Sequence, residues 1–145
     1  MGKTRVAVIL AGCGVYDGTE VHESSAVMVH LSRAGAEVQL YAPNVNQMHV
    51  VNHLTSQPTE EVRNVLVESS RIARANIKDL VQLSVNDTDA LIIPGKCSDL
   101  QSFTLDHFLK TSLDYTKITK DYSNIFPSKV CCVEYIDILY NSVLP

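Results

Sequence analysis

No apolar run in this sequence approaches the ~20 residues that cross a bilayer; the longest clean one extends from Val6 to Ala11. A membrane-spanning helix is therefore not expected. Positive charge is not in excess either. The 12 Lys and Arg face 16 Asp and Glu, a formal net charge of −4, which argues against a nucleic-acid-binding surface. No Cys-x-x-Cys pair occurs and no histidine has a close thiol partner at finger spacing, so neither a zinc site nor any other metal site is expected. A phosphate loop of the G-x-x-x-x-G-K-[ST] type is missing. Gly12-Cys-Gly14 starts a dinucleotide fingerprint, but Asp17 stands where the third glycine belongs, so no cofactor is expected. Internal repeats, low-complexity tracts and linkers are lacking. The first residues, Met-Gly-Lys-Thr-Arg, lead straight into an apolar run, which leaves no room for a signal or transit peptide. Myristoylation of Gly2 would need Ser or Thr where Val6 sits.

What is present is ordinary globular composition. Of 145 residues, 46% are apolar and 19% charged, which suits one soluble, intracellular domain able to bury a single core. The four cysteines, Cys13, Cys97, Cys131 and Cys132, sit in a chain too long for a disulfide-stapled mini-protein. They read as reduced thiols, with one reactive thiol as the alternative.

Arg5 to Ala11 is a continuous aliphatic run, the kind found in strands buried on both faces of a parallel sheet. Gly12-Cys13-Gly14 and Asp17-Gly18 supply turn chemistry after it. From Thr19 to Arg33 the spacing is helical, with Val21, Met28 and Leu31 on one stripe and Ala34-Gly35 as the stop. Glu37 to Ala42 alternates as a second strand, so the opening third specifies a βαβ unit. Val45 to Gln57 reads as an irregular loop. Pro58-Thr59-Glu60-Glu61 then has the features of a helix start, with Thr59 as cap and the two glutamates on the positive end of the dipole. Val62, Val65, Leu66, Ile72 and Ala73 would form its apolar face, and Arg71 and Arg74 its closing turn. Asp89 to Gly95 is a third strand ending in Pro-Gly. Ser98 to Tyr122 has weak helical spacing, and Lys129 to Tyr140 is a β-like run. The fold class that follows is α/β, a doubly wound parallel sheet.

In such sheets function gathers beyond the carboxyl ends of the strands. The loop from Gly12 to Glu23 qualifies, as do Pro94 to Asp99 and the residues after Cys132. Glu20 and Glu23 fall in the first turns of the first helix. They are either solvated acids favoured by the dipole, or one of them turns inward as an acid or base beside a thiol. The five histidines, His22, His30, His49, His53 and His107, show no ligand spacing and read as surface or loop residues. Cys131 and Cys132, on an apolar strand, read as inert thiols unless a sharp strand-to-helix turn exposes one as a thiolate.

The stretch Arg5-Val-Ala-Val-Ile-Leu-Ala-Gly-Cys-Gly-Val-Tyr-Asp-Gly-Thr-Glu-Val-His-Glu23, together with Val29 to Gly35, Tyr41-Ala-Pro43, Gln47 to Val50, Arg63 to Leu66, Ser70 to Arg74 and Ala90 to Gly95, resembles one family closely. That family comprises the glutamine amidotransferase-like class 1 domain-containing protein 3 group and the bacterial enhancing-lycopene-biosynthesis proteins. It lies within the PfpI-type, class I amidotransferase-like superfamily. The resemblance covers the first two-thirds of the chain and implies a flavodoxin-like fold. It also implies a site made of a cysteine on a nucleophile elbow and a glutamate from the helix after the first strand. These fall on Cys132 and Glu23, with Glu20 as the nearby substitute. Such a pair would serve glyoxalase-type or deglycase-type chemistry on small dicarbonyls.

The sequence departs from the family pattern at two points. Lys96-Cys97-Ser98-Asp99 follows Pro94-Gly95 where the family has a second glycine and a Gly-Ala-rich loop. Val133-Glu134-Tyr135 follows Cys132 where it has Ile-Ala-Pro. A β-branched residue after the cysteine suits a continuing strand better than an elbow. The expectation is an amidotransferase-like portion over residues 1–97 and a diverged segment over 98–145, the sheet being incomplete at its C-terminal end. Function is expected to be that of a diverged or truncated member with lost or much reduced catalysis. The alternative is a cysteine-dependent glyoxalase or deglycase. A reactive Cys13 or Cys97 in a redox sensor is a weaker third reading. Expected partners are a second copy or a full-length family member, with neither nucleic acid nor membrane involved. The resemblance implies a mitochondrial location, with the cytoplasm as the alternative.

Overall fold

The computed structural model describes residues 2–94 and the backbone of residues 130–133. Its centre is a parallel sheet of five strands. They are β1 (Arg5–Ile9), β2 (Glu37–Ala42), β5 (Ile77–Asp79), β6 (Ala90–Pro94) and β7 (Val130–Val133), in the order β5-β2-β1-β6-β7. The helices are α1 (Val21–Arg33) and α2 (Val65–Ala73), and a separate antiparallel hairpin consists of β3 (Val50–Asn52) and β4 (Gln57–Thr59). This is the doubly wound parallel arrangement expected, with β1 flanked on both sides. The expected incompleteness of the sheet, the segment boundary at residues 97 and 98, the helical spacing of Ser98 to Tyr122 and Cys97 lie outside the described residues.

The all-aliphatic character of β1 follows from its place. Val6, Val8 and Leu10 pack with Leu40 and Ala73 beneath Val27, Met28, Leu31 and Ile72 of the helices. Ala7, Ile9 and Ala11, which alternate to the other face, are buried as well. Leu10 is completely buried, and a side chain of that size withdrawn from water stabilises by about 1.5–3 kcal/mol. Helix α1 packs on β2 and β6, α2 packs on β2 and β5, and the two helices touch. They therefore cover one face together. Among the described residues no helix is long and apolar enough to cross a membrane.

Two readings need correction. The stretch Val45 to Gln57 is not all irregular, since Val50, Val51 and Asn52 pair with Thr59, Pro58 and Gln57. For the same reason α2 does not start at Pro58-Thr59, because both are committed to β4. Residues beyond them stay extended: Gln47 N donates to Arg63 O at 2.7 Å and Val65 N to Val45 O at 2.8 Å. The helix begins at Val65, capped by Asn64, whose side-chain oxygen accepts from Val67 N at 3.1 Å. Val62, assigned to the apolar face, is instead exposed ahead of the helix. Arg74 closes α2 in the left-handed region, φ 51°, with its amide donating to Ser70 O. The edge strand β5 was not read from the sequence at all.

Candidate functional site at the carboxyl end of the first strand

Strands β1 and β6 are neighbours, and the chain turns away from them in opposite directions, to β2 and to β7. Their carboxyl ends mark the switch point where α/β sheets place their sites. The loop after β1 begins with Gly12 at φ 97°, a backbone state that suits glycine. Hydroxyls fix its entry. Ala11 N donates to Thr19 Oγ1 at 2.7 Å, and Gly12 N donates to Ser69 Oγ of α2 at 2.8 Å. Both hydroxyl-bearing residues are buried, so each satisfies an amide that water cannot reach. Gly18 closes the loop against Cys13 N. A Cβ there would stand 2.7 Å from that nitrogen and 3.0 Å from Ala11 O.

Glu20 is the N-cap of α1. Its Oε2 accepts from Glu23 N at 2.7 Å, while Oε1 meets His22 Nδ1 at 2.7 Å on the exposed side. A capping carboxylate is thereby occupied by structure. Glu23, one turn into the helix, is buried at 8% exposure, and its Oε2 is shut off from solvent. Ser24 beside it is completely buried and donates back to Glu20 O and Val21 O. Of the two glutamates named from sequence, Glu23 is the inward one and Glu20 the structural one.

Cys132 is in β7, where its Cα is registered with that of Ile93, and Val133 continues the ladder opposite Pro94. Whether the chain turns sharply beyond Val133, and where the thiols of Cys131 and Cys132 point, lie outside the described residues. Cys13, in the loop after β1, is half-buried and unbridged. Burial pushes its thiol up from the usual range, the charges of Glu68 and Asp17 push the same way, and Arg71 opposes them. These surroundings favour the protonated thiol, the poorer nucleophile. Glu68 is itself buried and held by Arg71 Nε at 2.9 Å.

Sequence reasoning did not foresee the contact between the loop and the β3–β4 hairpin. Asp17 Oδ2 accepts from Val51 N at 2.7 Å, and Gln47 Nε2 donates to Asp17 O at 2.9 Å. His53 Nε2 accepts from Val15 N at 3.1 Å and from Tyr16 N at 3.3 Å, with its ring stacked on Tyr16. Gly14 sits so close to the Asp17 carboxylate that a Cβ would strike it, and the same Cβ would crowd the His53 ring. The only sequence signal was that Asp17 lies in the candidate loop after the first strand and His53 in the stretch read as an irregular loop. Among the described residues no group of three or more His, Cys, Asp or Glu could hold a metal ion.

No family model matches the chain. It is 50% identical over 135 residues to human "Glutamine amidotransferase-like class 1 domain-containing protein 3, mitochondrial", covering 89% of this chain and 50% of that protein. To the rat "ES1 protein homolog, mitochondrial" it is 47% identical over 137 residues, 90% of this chain and 52% of the relative. Coverage of this extent carries the likeness into the last fifty residues. Among solved structures, an isoprenoid biosynthesis protein with an amidotransferase-like domain from Ehrlichia chaffeensis superposes with a TM-score of 0.72. The two are 34% identical, over 89% of this chain and 60% of that one. The fold is thus flavodoxin-like, and the chain belongs to the class I amidotransferase-like family, spanning about half the length of the curated relatives it matches.

Proposed function

We propose that this chain is a family member with little or no thiol catalysis of its own. One observation carries the reading. Strand β7 continues past Cys132, Val133 pairing with Pro94, whereas a nucleophile elbow turns sharply at the reactive residue. The sequence adds to it: Val133 is β-branched, and Lys96 stands where the family has a second glycine. It is a turn at the reactive residue that brings backbone amides and a helix N-terminus to a thiol and lowers its pKa. A full-length relative, or a second copy, is the partner this reading favours. The compartment would be that of the relatives, whose names are mitochondrial.

A second reading has its own support. Glu23 is buried on the first turn of α1, beyond the end of β1, where a glutamate paired with Cys132 would be needed. It would hold the proton while the cysteine attacks the carbonyl of a small dicarbonyl. Methylglyoxal turnover separates the two, measured on the intact chain and on Cys132→Ser and Glu23→Gln. The expectation is no turnover above buffer, and a Cys132 that reacts with iodoacetamide no faster than free cysteine. Turnover abolished in Cys132→Ser overturns it. Co-purification from mitochondria with a full-length relative tests the partner, and a monomer throughout would count against it.

A further inference from the structure

We propose that His53 and Asp17 form a proton-operated clasp, holding the tip of the β1–α1 loop when His53 is neutral and releasing it when His53 is charged. The contact joins segments 37 and 38 residues apart in sequence. Backbone amides can only donate, so the Nε2 that meets Val15 N at 3.1 Å and Tyr16 N at 3.3 Å must present a lone pair. The proton of the neutral ring is then on Nδ1, which donates to Val51 O at 3.0 Å. The geometry therefore fixes both tautomer and charge.

A second proton would go to Nε2, placing a hydrogen against two amide hydrogens. The ring would lose both acceptor bonds. Asp17 Oδ1 lies 3.8 Å from that same nitrogen and is nearly buried, its side chain 5% exposed. A ring shift of about 1 Å would turn this approach into a charge-assisted hydrogen bond. Protonation thus exchanges two amide bonds for one ion pair. Asp17 would keep its grip on Val51 N through Oδ2, so the hairpin stays docked and only Val15 and Tyr16 are let go. Both are already more than half exposed, and the Tyr16 ring keeps its stack on His53 while its amide is let go.

The groups facing the ring are Tyr16 and Asp17 from the loop and the Val51 carbonyl from the hairpin. Cys13 in the loop and Arg63 beyond the hairpin also feel the charge of Asp17. Histidine is the side chain whose ring nitrogen accepts when neutral and donates when charged, which makes it the natural operator here.

Nitrogen-15 NMR of the intact chain tests the clasp. At pH 8 the His53 ring should show a protonated Nδ1 and a bare Nε2. From pH 8 to 5 the Val15 and Tyr16 amide shifts should move with the same midpoint as the His53 ring. Their protection against hydrogen exchange, corrected for the intrinsic pH dependence, should fall about fivefold or more as a hydrogen bond is lost. His53→Gln keeps an acceptor without a titration, and there the two amides should be insensitive to pH. A proton on Nε2 at pH 8 overturns the proposal in the unmodified chain, as do amides that stay still while the ring titrates. Amide shifts that persist unchanged in His53→Gln overturn it too.

Discussion

Replacing Ser69 with alanine should destabilise the fold far more than the same change at its neighbour Ser70. Ser69 is completely buried, and its Oγ is the acceptor for the Gly12 amide at 2.8 Å. Alanine leaves that N–H in the interior with no acceptor and no water. An unsatisfied buried donor costs about 1–3 kcal/mol, and the full burial of Ser69 places this one near the upper half. Ser70 Oγ donates to Val67 O at 2.6 Å along its own helix, on a half-buried position. Removing it strands no amide, and alanine's better helix propensity offsets most of the loss. The propensity gain is common to both sites, so the difference isolates the Gly12 bond. With a urea slope of about 1–3 kcal/mol per molar, a loss of ~2 kcal/mol moves the midpoint of Ser69→Ala down by about 1 M. The midpoint of Ser70→Ala should stay close to that of the parent. Hydrogen exchange at Gly12 supplies the local reading, with protection falling in Ser69→Ala alone. Equal midpoints for the two variants, with Gly12 protection intact, would refute the claim that a hydroxyl from α2 holds the loop entry.

Other expectations follow from the same geometry. Gly18→Ala sets a Cβ 2.7 Å from Cys13 N, a backbone contact that cannot yield cheaply; a loss of about 1–3 kcal/mol is expected in thermal unfolding, and an unchanged melting temperature would contradict it. Asn64→Ala removes the cap of α2 and should cost about 1 kcal/mol, whereas Thr59→Ala should leave the helicity of residues 65–73 intact by hydrogen exchange. Because burial and the charges of Glu68 and Asp17 push the Cys13 thiol up, its thiolate is scarcer at neutral pH than that of free cysteine. Peptide-resolved iodoacetamide labelling should therefore be slower at Cys13 than at a free thiol at pH 7 and catch up only in more alkaline solution. Arg71→Gln should slow it further and Glu68→Gln speed it; the opposite order would show that the charges do not act as drawn.

The strands and helix visible in the sequence were those with length enough to show a pattern. The aliphatic run of β1, the alternation of β2 and the helical spacing of α1 each extend over five residues or more, and the structure has all three elements. Val21, however, read on the apolar stripe of α1, is exposed, and Val27 packs beside Met28 and Leu31 instead. The pieces that escaped, β3, β4 and β5, have three residues each, mostly exposed or half-buried, so no period can be established within them. The start of α2 misled for a different reason. Thr59-Glu60-Glu61 is good capping chemistry, but pairing of Pro58 and Thr59 in the hairpin overrode it and passed the role to Asn64. At the site, the sequence offered an inward glutamate as one of two alternatives, and it was the family resemblance that fell on Glu23. The roles of Ser69 and His53 were not legible, since each reaches the first loop from a distant part of the chain. Such pairings are set by the topology.

Five amides of the first loop are already spoken for by the protein. Ala11 gives its hydrogen to Thr19, Gly12 to Ser69, Gly14 to the Thr19 carbonyl, and Val15 and Tyr16 to His53. A glycine-rich turn after a central strand ordinarily cradles phosphate by offering just such hydrogens to the anion. Here five of those hydrogens are already engaged within the protein. A phosphate or carboxylate approaching this loop with the clasp shut would have to displace internal acceptors of equal quality. Of these five, the proposed clasp would free only Val15 and Tyr16 for an anion, and only as the solution becomes acidic.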